Sequence, residues 1–140
     1  MADDPKLALL KRVPLFTECR NEPLELIRRL ADEVDVADGY TLMRQGDIGQ
    51  EFFLIVDGRV RIERDGQTVA TLGPGDYLGE ISLISEERRS ATAVTEGPAK
   101  LLVITHQGFN SLMDASSSIR SAILRGLAGR LQKHEPDALG

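Results

Sequence analysis

The densest chemistry in the chain lies in Gly73-Pro74-Gly75-Asp76-Tyr77-Leu78-Gly79-Glu80-Ile81-Ser82-Leu83-Ile84, followed shortly by Arg88-Arg89-Ser90-Ala91-Thr92. The glycines lead out of a strand into residues 80–84, a stretch long enough for about one helical turn. Backbone amides exposed at such a turn carry partial positive charge and hold anions, a phosphate being the natural one. Arg88 and Arg89 stand between a polar loop and the small apolar run of residues 91–94, so one of them points inward. An inward guanidinium needs a compensating anion. Glu80 repels a nearby phosphate unless its carboxylate is otherwise engaged, and a ribose hydroxyl would engage it, because an ionised carboxylate accepts hydrogen bonds and a sugar hydroxyl donates one. Two arrangements satisfy these residues. One is a nucleotide pocket, with amides and guanidinium on phosphate, carboxylate on sugar and a barrel wall on the base; the other is a plain pairing of Glu80 with Arg89 across a turn.

The elements that must position these groups fall into three zones. Residues 1–33 read as N-terminal helices: Leu7, Leu10, Leu24, Ile27, Leu30 and Ala31 recur at three- and four-residue spacing, broken at Pro14 and Pro23, with a helix starting near Asn21. Residues 34–105 alternate instead, and eight of the 13 glycines fall between positions 39 and 79. Phe52, Leu54 and Val56 interleave with Phe53, Ile55 and Asp57, while Asp65-Gly66 supplies a tight hairpin turn into residues 67–72. Short strands at this spacing indicate a sandwich or barrel. The Gly97-Pro98 pair reads as a turn introducing a last strand near residues 101–104. Residues 107–134 return to helix, with Ile119, Ile123, Leu127 and Leu131 on one stripe and Arg120, Arg125, Arg130 and Lys133 nearby. Gly126 and Gly129 weaken that helix by up to about 1 kcal/mol each. Such a stripe serves equally a moving lid, a packing helix or a dimer contact.

Length and composition bound the function. A chain of 140 residues with 41% hydrophobic and 28% charged residues is expected to form a single domain over 1–140. A net charge of -5 is the wrong sign for coating a phosphate backbone. The lone Cys19 forms no internal disulfide or thiolate cluster, which fits a reducing compartment, and the cytoplasm is the expected location. The longest apolar run, residues 52–56, is far below the roughly 20 residues of a membrane span, and the acidic start is not signal-like. Catalysis is not expected. No Gly-Lys-Ser/Thr follows the glycine turn, and no nucleophile elbow is visible. His106 and His134 stand 28 positions apart and fit surface or capping roles better than a metal site. Ser116 to Ser118 read as a capping region for the final helix.

Gly79-Glu80-Ile81-Ser82-Leu83-Ile84 with Arg89-Ser90-Ala91-Thr92 closely resembles the phosphate-binding cassette of cyclic nucleotide-binding domains, found in nucleotide-gated channels, kinase regulatory subunits and catabolite-activator-type proteins. The resemblance extends to Arg44-Gln45-Gly46-Asp47, to residues 53–60 with an Asp57-Gly58 turn, and to the flanking helices, covering about residues 10–133. It implies a mainly β fold with flanking α-helices: an eight-stranded antiparallel β-roll of the jelly-roll type over 34–105, a cassette at 79–92 with a short helix, and C-terminal lid helices over 107–134. It implies further that Arg89 pairs with a 3′,5′-cyclic phosphate and that Glu80 accepts from the ribose 2′-hydroxyl. Backbone amides around Gly79, Ser82 and Ser90 complete the cradle, and Ile81 and Ala91 belong to the same ligand-binding set.

Two positions depart from the family pattern: Glu86 and Arg88 stand where members commonly carry Gly and Pro, and Arg88 is expected in solvent. Many members also stack an aromatic on the base, whereas the last aromatic here is Phe109, leaving Leu124 and Arg125 as lid candidates. Serine at position 90 leans toward cyclic AMP over cyclic GMP. The expected function is a non-catalytic sensor with a cyclic nucleotide as ligand, no separate cofactor or metal, an unidentified downstream protein partner, and a monomeric or weakly dimeric state. Neither membrane nor DNA binding is expected, since no recognition helix follows the last helix of this chain. The rival is a ligand-free interaction scaffold that keeps the roll. Binding of a cyclic nucleotide separates the two.

Overall fold

The computed structural model describes residues 5–11, 21–79, 88–117, 120, 121 and 125. Two helices, α1 (Pro5–Lys11) and α2 (Asn21–Leu30), precede strands β1 (Asp32–Val36), β2 (Thr41–Met43), β3 (Glu51–Arg64), β4 (Gln67–Leu72), β5 (Tyr77–Leu78) and β6 (Thr92–Thr105), and helix α3 (His106–Ala115) follows. The zone boundaries shift slightly from the sequence expectation. Asp32 and Glu33 already pair with Val103 and Leu102, so the sheet starts two residues early, and α3 starts at His106.

All pairing is antiparallel, and β3 lies against β6 over nearly its whole length. Each of these two 14-residue strands has a different outer neighbour on either side of its midpoint. One half of β6 pairs with β1 and the other with β2; one half of β3 pairs with β5 and the other with β4. The result is two four-stranded layers that share β3 and β6. Six continuous strands among the described residues therefore stand where eight were expected, and counting each long strand as two gives eight.

The midpoint of β3 corrects one expectation. Asp57-Gly58 is not a turn: the strand runs through it, and the register against β6 shifts on either side of Asp57. Gly97-Pro98 likewise lies within β6 and introduces no new strand. Both pairs are bends, because a strand shared by two layers must change direction without breaking its ladder. The bend brings the two strands into close contact, and a Cβ at Gly58, whose φ is +99°, would lie 2.8 Å from both the Ala99 Cα and the Pro98 carbonyl oxygen. Asp65-Gly66 does form the β3–β4 hairpin turn, with Asp65 in the left-handed region at φ 54°.

The alternation at the start of β3 divides the interior. Phe52 and Leu54 point to an outer core with Leu10, Leu24, Ile27, Leu102, Phe109 and Leu112, so α1, α2 and α3 cover that face. Phe53 and Ile55 point to an inner core with Val60, Ile62, Leu78, Ala93 and Leu101, contributed by both layers. Thr105 caps α3 by accepting the Gly108 N–H at 3.0 Å. This cap fixes where α3 leaves the sheet. Ser116 ends α3 by donating its N–H to the Leu112 carbonyl, and its own carbonyl accepts the Arg120 N–H at 3.2 Å.

Gly58→Ala is expected to lower stability by about 3 kcal/mol, the sum of left-handed strain and a backbone clash. Urea unfolding measures it, and a loss below about 1 kcal/mol would contradict the close approach at the bend.

Candidate ligand-binding site

Arg89 follows directly on the Ile48–Arg88 bridge and precedes β6. Its side chain turns inward as expected, and the residue is only 4% exposed. Two backbone hydrogen bonds to the turn after β2 hold it there: Gly46 N–H donates to the Arg89 carbonyl at 2.9 Å, and Arg89 N–H donates to the Asp47 carbonyl at 2.7 Å. Arg88 takes the opposite course. It is exposed, with Nη1 donating to the Gly46 carbonyl at 2.8 Å.

The Arg89 guanidinium is half satisfied. Nη2 donates to the Glu51 carbonyl at 2.7 Å, while Nη1 is buried with no acceptor among the described residues. Desolvation lowers the Arg89 pKa from its ordinary value, and the Glu51 carboxylate acts in the opposite direction. A base held below its ordinary pKa is one whose charged form the fold disfavours. Wherever it is charged in both folded and unfolded states, it therefore subtracts from stability. An orphaned, desolvated cation of this kind is a poor structural element and a good anion receptor.

Gly79 is shaped by the same arginine. At φ +84°, a Cβ on it would lie 2.6 Å from the Glu51 carbonyl oxygen and 2.7 Å from Arg89 Nη1. The guanidinium thus occupies the space a side chain would need. Glycine at 79 was expected for its exposed amide; the structure adds that no other residue leaves room for Arg89.

A cleft of about 750 Å³ reaches Arg89. One side comes from the loop before β3, with Asp47 and Gln50, and from Glu51 at the start of β3, and another from the first two turns of α3, with His106, Gln107 and Asn110; Leu42 and Met43 add apolar lining. Gly79, Ser90 and Ala91 are not among the described residues that line it. Gly79 and Ala91 are buried, Ala91 in the inner core, and Ser90 is half-buried with its carbonyl accepting from Arg64 Nε at 3.1 Å. Glu80, Ile81 and Ser82, the cassette helix, and Leu124 lie outside the described residues. Arg125 is helical and exposed, and it is not among the lining residues either. Among the described residues no three His, Cys, Asp or Glu side chains gather as a metal site, and no helix is long and apolar enough to cross a membrane.

The family model described as the cyclic nucleotide-binding domain matches residues 33–116. The chain belongs to that family. The cAMP-dependent protein kinase regulatory subunit of Schizosaccharomyces pombe is 36% identical over 107 residues, which is 76% of this chain and 26% of that protein. The cyclic AMP receptor protein of Thermus thermophilus is 33% identical over 129 residues, 89% of this chain and 60% of that protein. The chain therefore spans only part of these relatives. Among solved structures, the N-terminal domain of a transcriptional regulator from Streptomyces coelicolor A3(2) superposes with a TM-score of 0.82 at 32% identity, covering 89% of this chain and 90% of that one. The regulatory domain of Toxoplasma gondii PKA, solved with cAMP, gives 0.73 at 25% identity, covering 86% and 50%.

In this cyclic nucleotide-binding domain Gly79 and Arg89, both named from the sequence, lie side by side, and two contributors to the cleft are missing from the sequence reading. The Glu51 carbonyl is a backbone group with no residue-type signature. The α3 wall of the cleft was read only as the start of a terminal helix, and His106, read as a surface or capping residue, is half-buried and lines the cleft while Thr105 does the capping.

Replacing Arg89 with methionine removes a desolvated charge and one hydrogen bond. The ligand-free Arg89→Met protein is expected to stay within about 1 kcal/mol of the wild type in urea unfolding. A loss above about 3 kcal/mol would make Arg89 a structural residue instead.

Proposed function

We propose that residues 1–140 act as one non-catalytic sensor that binds a 3′,5′-cyclic nucleotide, cyclic AMP in preference to cyclic GMP. The observation that carries this reading is the buried Arg89 Nη1 with no acceptor among the described residues. A cyclic phosphodiester is a monoanion whose exocyclic oxygens match a guanidinium in charge and geometry. Water exclusion around a side chain that is 4% exposed strengthens the pairing. Glu80 is the proposed acceptor for the ribose 2′-hydroxyl, with amides near Gly79, Ser82 and Ser90 on the phosphate and Ile81 and Ala91 beside them. Ser90 carries the lean toward cyclic AMP. The solved Toxoplasma gondii relative with cAMP supports the ligand class, and the Schizosaccharomyces pombe relative, a regulatory subunit, supports a regulatory role.

Binding then works by population shift, since a ligand moves an element only by its differential affinity for two arrangements. The element is the helix over 118–133, with Leu124 and Arg125 closing on the base. Its apolar stripe is what an unidentified protein partner, or a second copy in a weak dimer, would meet in the other state. The cytoplasm, as the reducing compartment that suits one unpaired cysteine, is the proposed location.

Calorimetric titration with cyclic AMP, cyclic GMP and 5′-AMP tests the ligand. Saturable binding of a cyclic nucleotide is expected, with little response to 5′-AMP, whose phosphate is not tied back to the ribose. Arg89→Ala is expected to cost on the order of 2 to 5 kcal/mol of affinity, at least tens of fold. Wild-type affinity in Arg89→Ala would overturn the assignment, and no binding of any cyclic nucleotide would leave the scaffold. Hydrogen exchange over 118–133 is expected to change on saturation; an unaltered pattern would remove the lid.

A further inference from the structure

The turn that fixes the Arg89 backbone is itself held from the far end of the β3–β4 hairpin. Gln45 Nε2 donates to Asp65 Oδ1 at 2.9 Å, and Asp65 N–H donates to Gln45 Oε1 at 2.9 Å. This two-way clasp lands on Asp65, the one described non-glycine residue in the left-handed region. The Gln45 N–H donates to Thr92 Oγ1 at 2.9 Å, tying the same turn to the first residue of β6. Next to the clasp, Arg64 Nε holds the Ser90 carbonyl at 3.1 Å. The hairpin tip thus braces the chain on both sides of Arg89: at Gly46 and Asp47 through Gln45, and at Ser90 through Arg64.

We infer that Gln45 is a positioning residue, which holds the Arg89 backbone through its clasp on Asp65 and thereby raises affinity for the cyclic nucleotide without touching it. The affinity half of this inference rests on the proposed function; the positioning half does not. A side chain aimed at a phosphate keeps its direction only if its backbone is fixed, and here two of the fixing bonds come from the Gly46–Asp47 turn. Both partners of the clasp are exposed, so their loss opens the turn without disturbing either core.

The test uses Gln45→Glu and the double variant Gln45→Glu/Asp65→Asn in the full chain. The single change leaves two facing carboxylates and no side-chain donor. The double change returns a donor on the hairpin side, and asparagine tolerates the left-handed backbone there. Amide exchange at Arg89, read without ligand, is expected to accelerate about fivefold in Gln45→Glu, and cyclic AMP affinity to fall by about the same factor, as for one neutral hydrogen bond. The double variant is expected to recover both to within about twofold. Melting temperatures should stay close across the three proteins, and exchange in the middle of β3 should not move. Arg89 exchange equal to the wild type in Gln45→Glu overturns the inference, as does acceleration spread evenly over β3 and β6, which marks general destabilisation. Should the wild type bind no cyclic nucleotide, the proposed function fails while Arg89 exchange still decides whether Gln45 positions it.

Discussion

A guanidinium removed from water with one arm bonded and the other open is the constraint around which this domain is arranged. Arg89 gives one Nη to the Glu51 carbonyl and keeps the other buried without an acceptor among the described residues. Desolvating a cation is costly, and an unmet donor beside it adds to that cost. A fold that keeps such a group has a use for it beyond its own stability. Gly79 must be glycine to make room for it, and the turn after β2 spends two backbone bonds on keeping it in place.

The architecture explains how residues 51, 79 and 89 meet. Because β3 and β6 each serve two layers, the start of β3 lies beside β5 and the end of β6 at once. Gly79, just after β5, therefore reaches the Glu51 carbonyl, and the chain before β6 delivers Arg89 between them. The outer core under α1, α2 and α3 and the inner core of the roll clamp β3 from both faces, so the Glu51 carbonyl is a fixed reference point. The pairing of the start of β3 with β5 and with β6 is what gathers these three positions.

Much of this was legible in the residues. The alternation from Phe52 to Ile55 predicted a strand, and the strand divides two cores as its period demands. Asp65-Gly66 was read correctly because a two-residue turn with left-handed backbone has few sequence solutions. That one arginine of the pair turns inward followed from the small apolar run behind them, and the family resemblance assigned that role to Arg89 and solvent to Arg88. What failed was the distinction between turn and bend at Asp57-Gly58 and Gly97-Pro98, since glycine beside a polar or proline neighbour signals both. Only long-range pairing along β3 and β6 decides between them. The role of the Gln45-Gly46-Asp47 turn was equally hidden, because its hold on Arg89 runs through backbone atoms. Glu80, the other half of the expected grip, lies outside the described residues, as do Ile81, Ser82 and Leu124.

The most direct observation is the guanidinium itself, followed by arginine-selective nitrogen NMR as cyclic AMP is added. One Nη group of Arg89 is expected to shift and its rotation to slow on saturation, as an exocyclic phosphate oxygen takes the open position, while the Glu51-bonded group changes little. Saturable binding that leaves every Arg89 signal where it stood in the free protein would contradict the claim that this buried cation is the phosphate receptor.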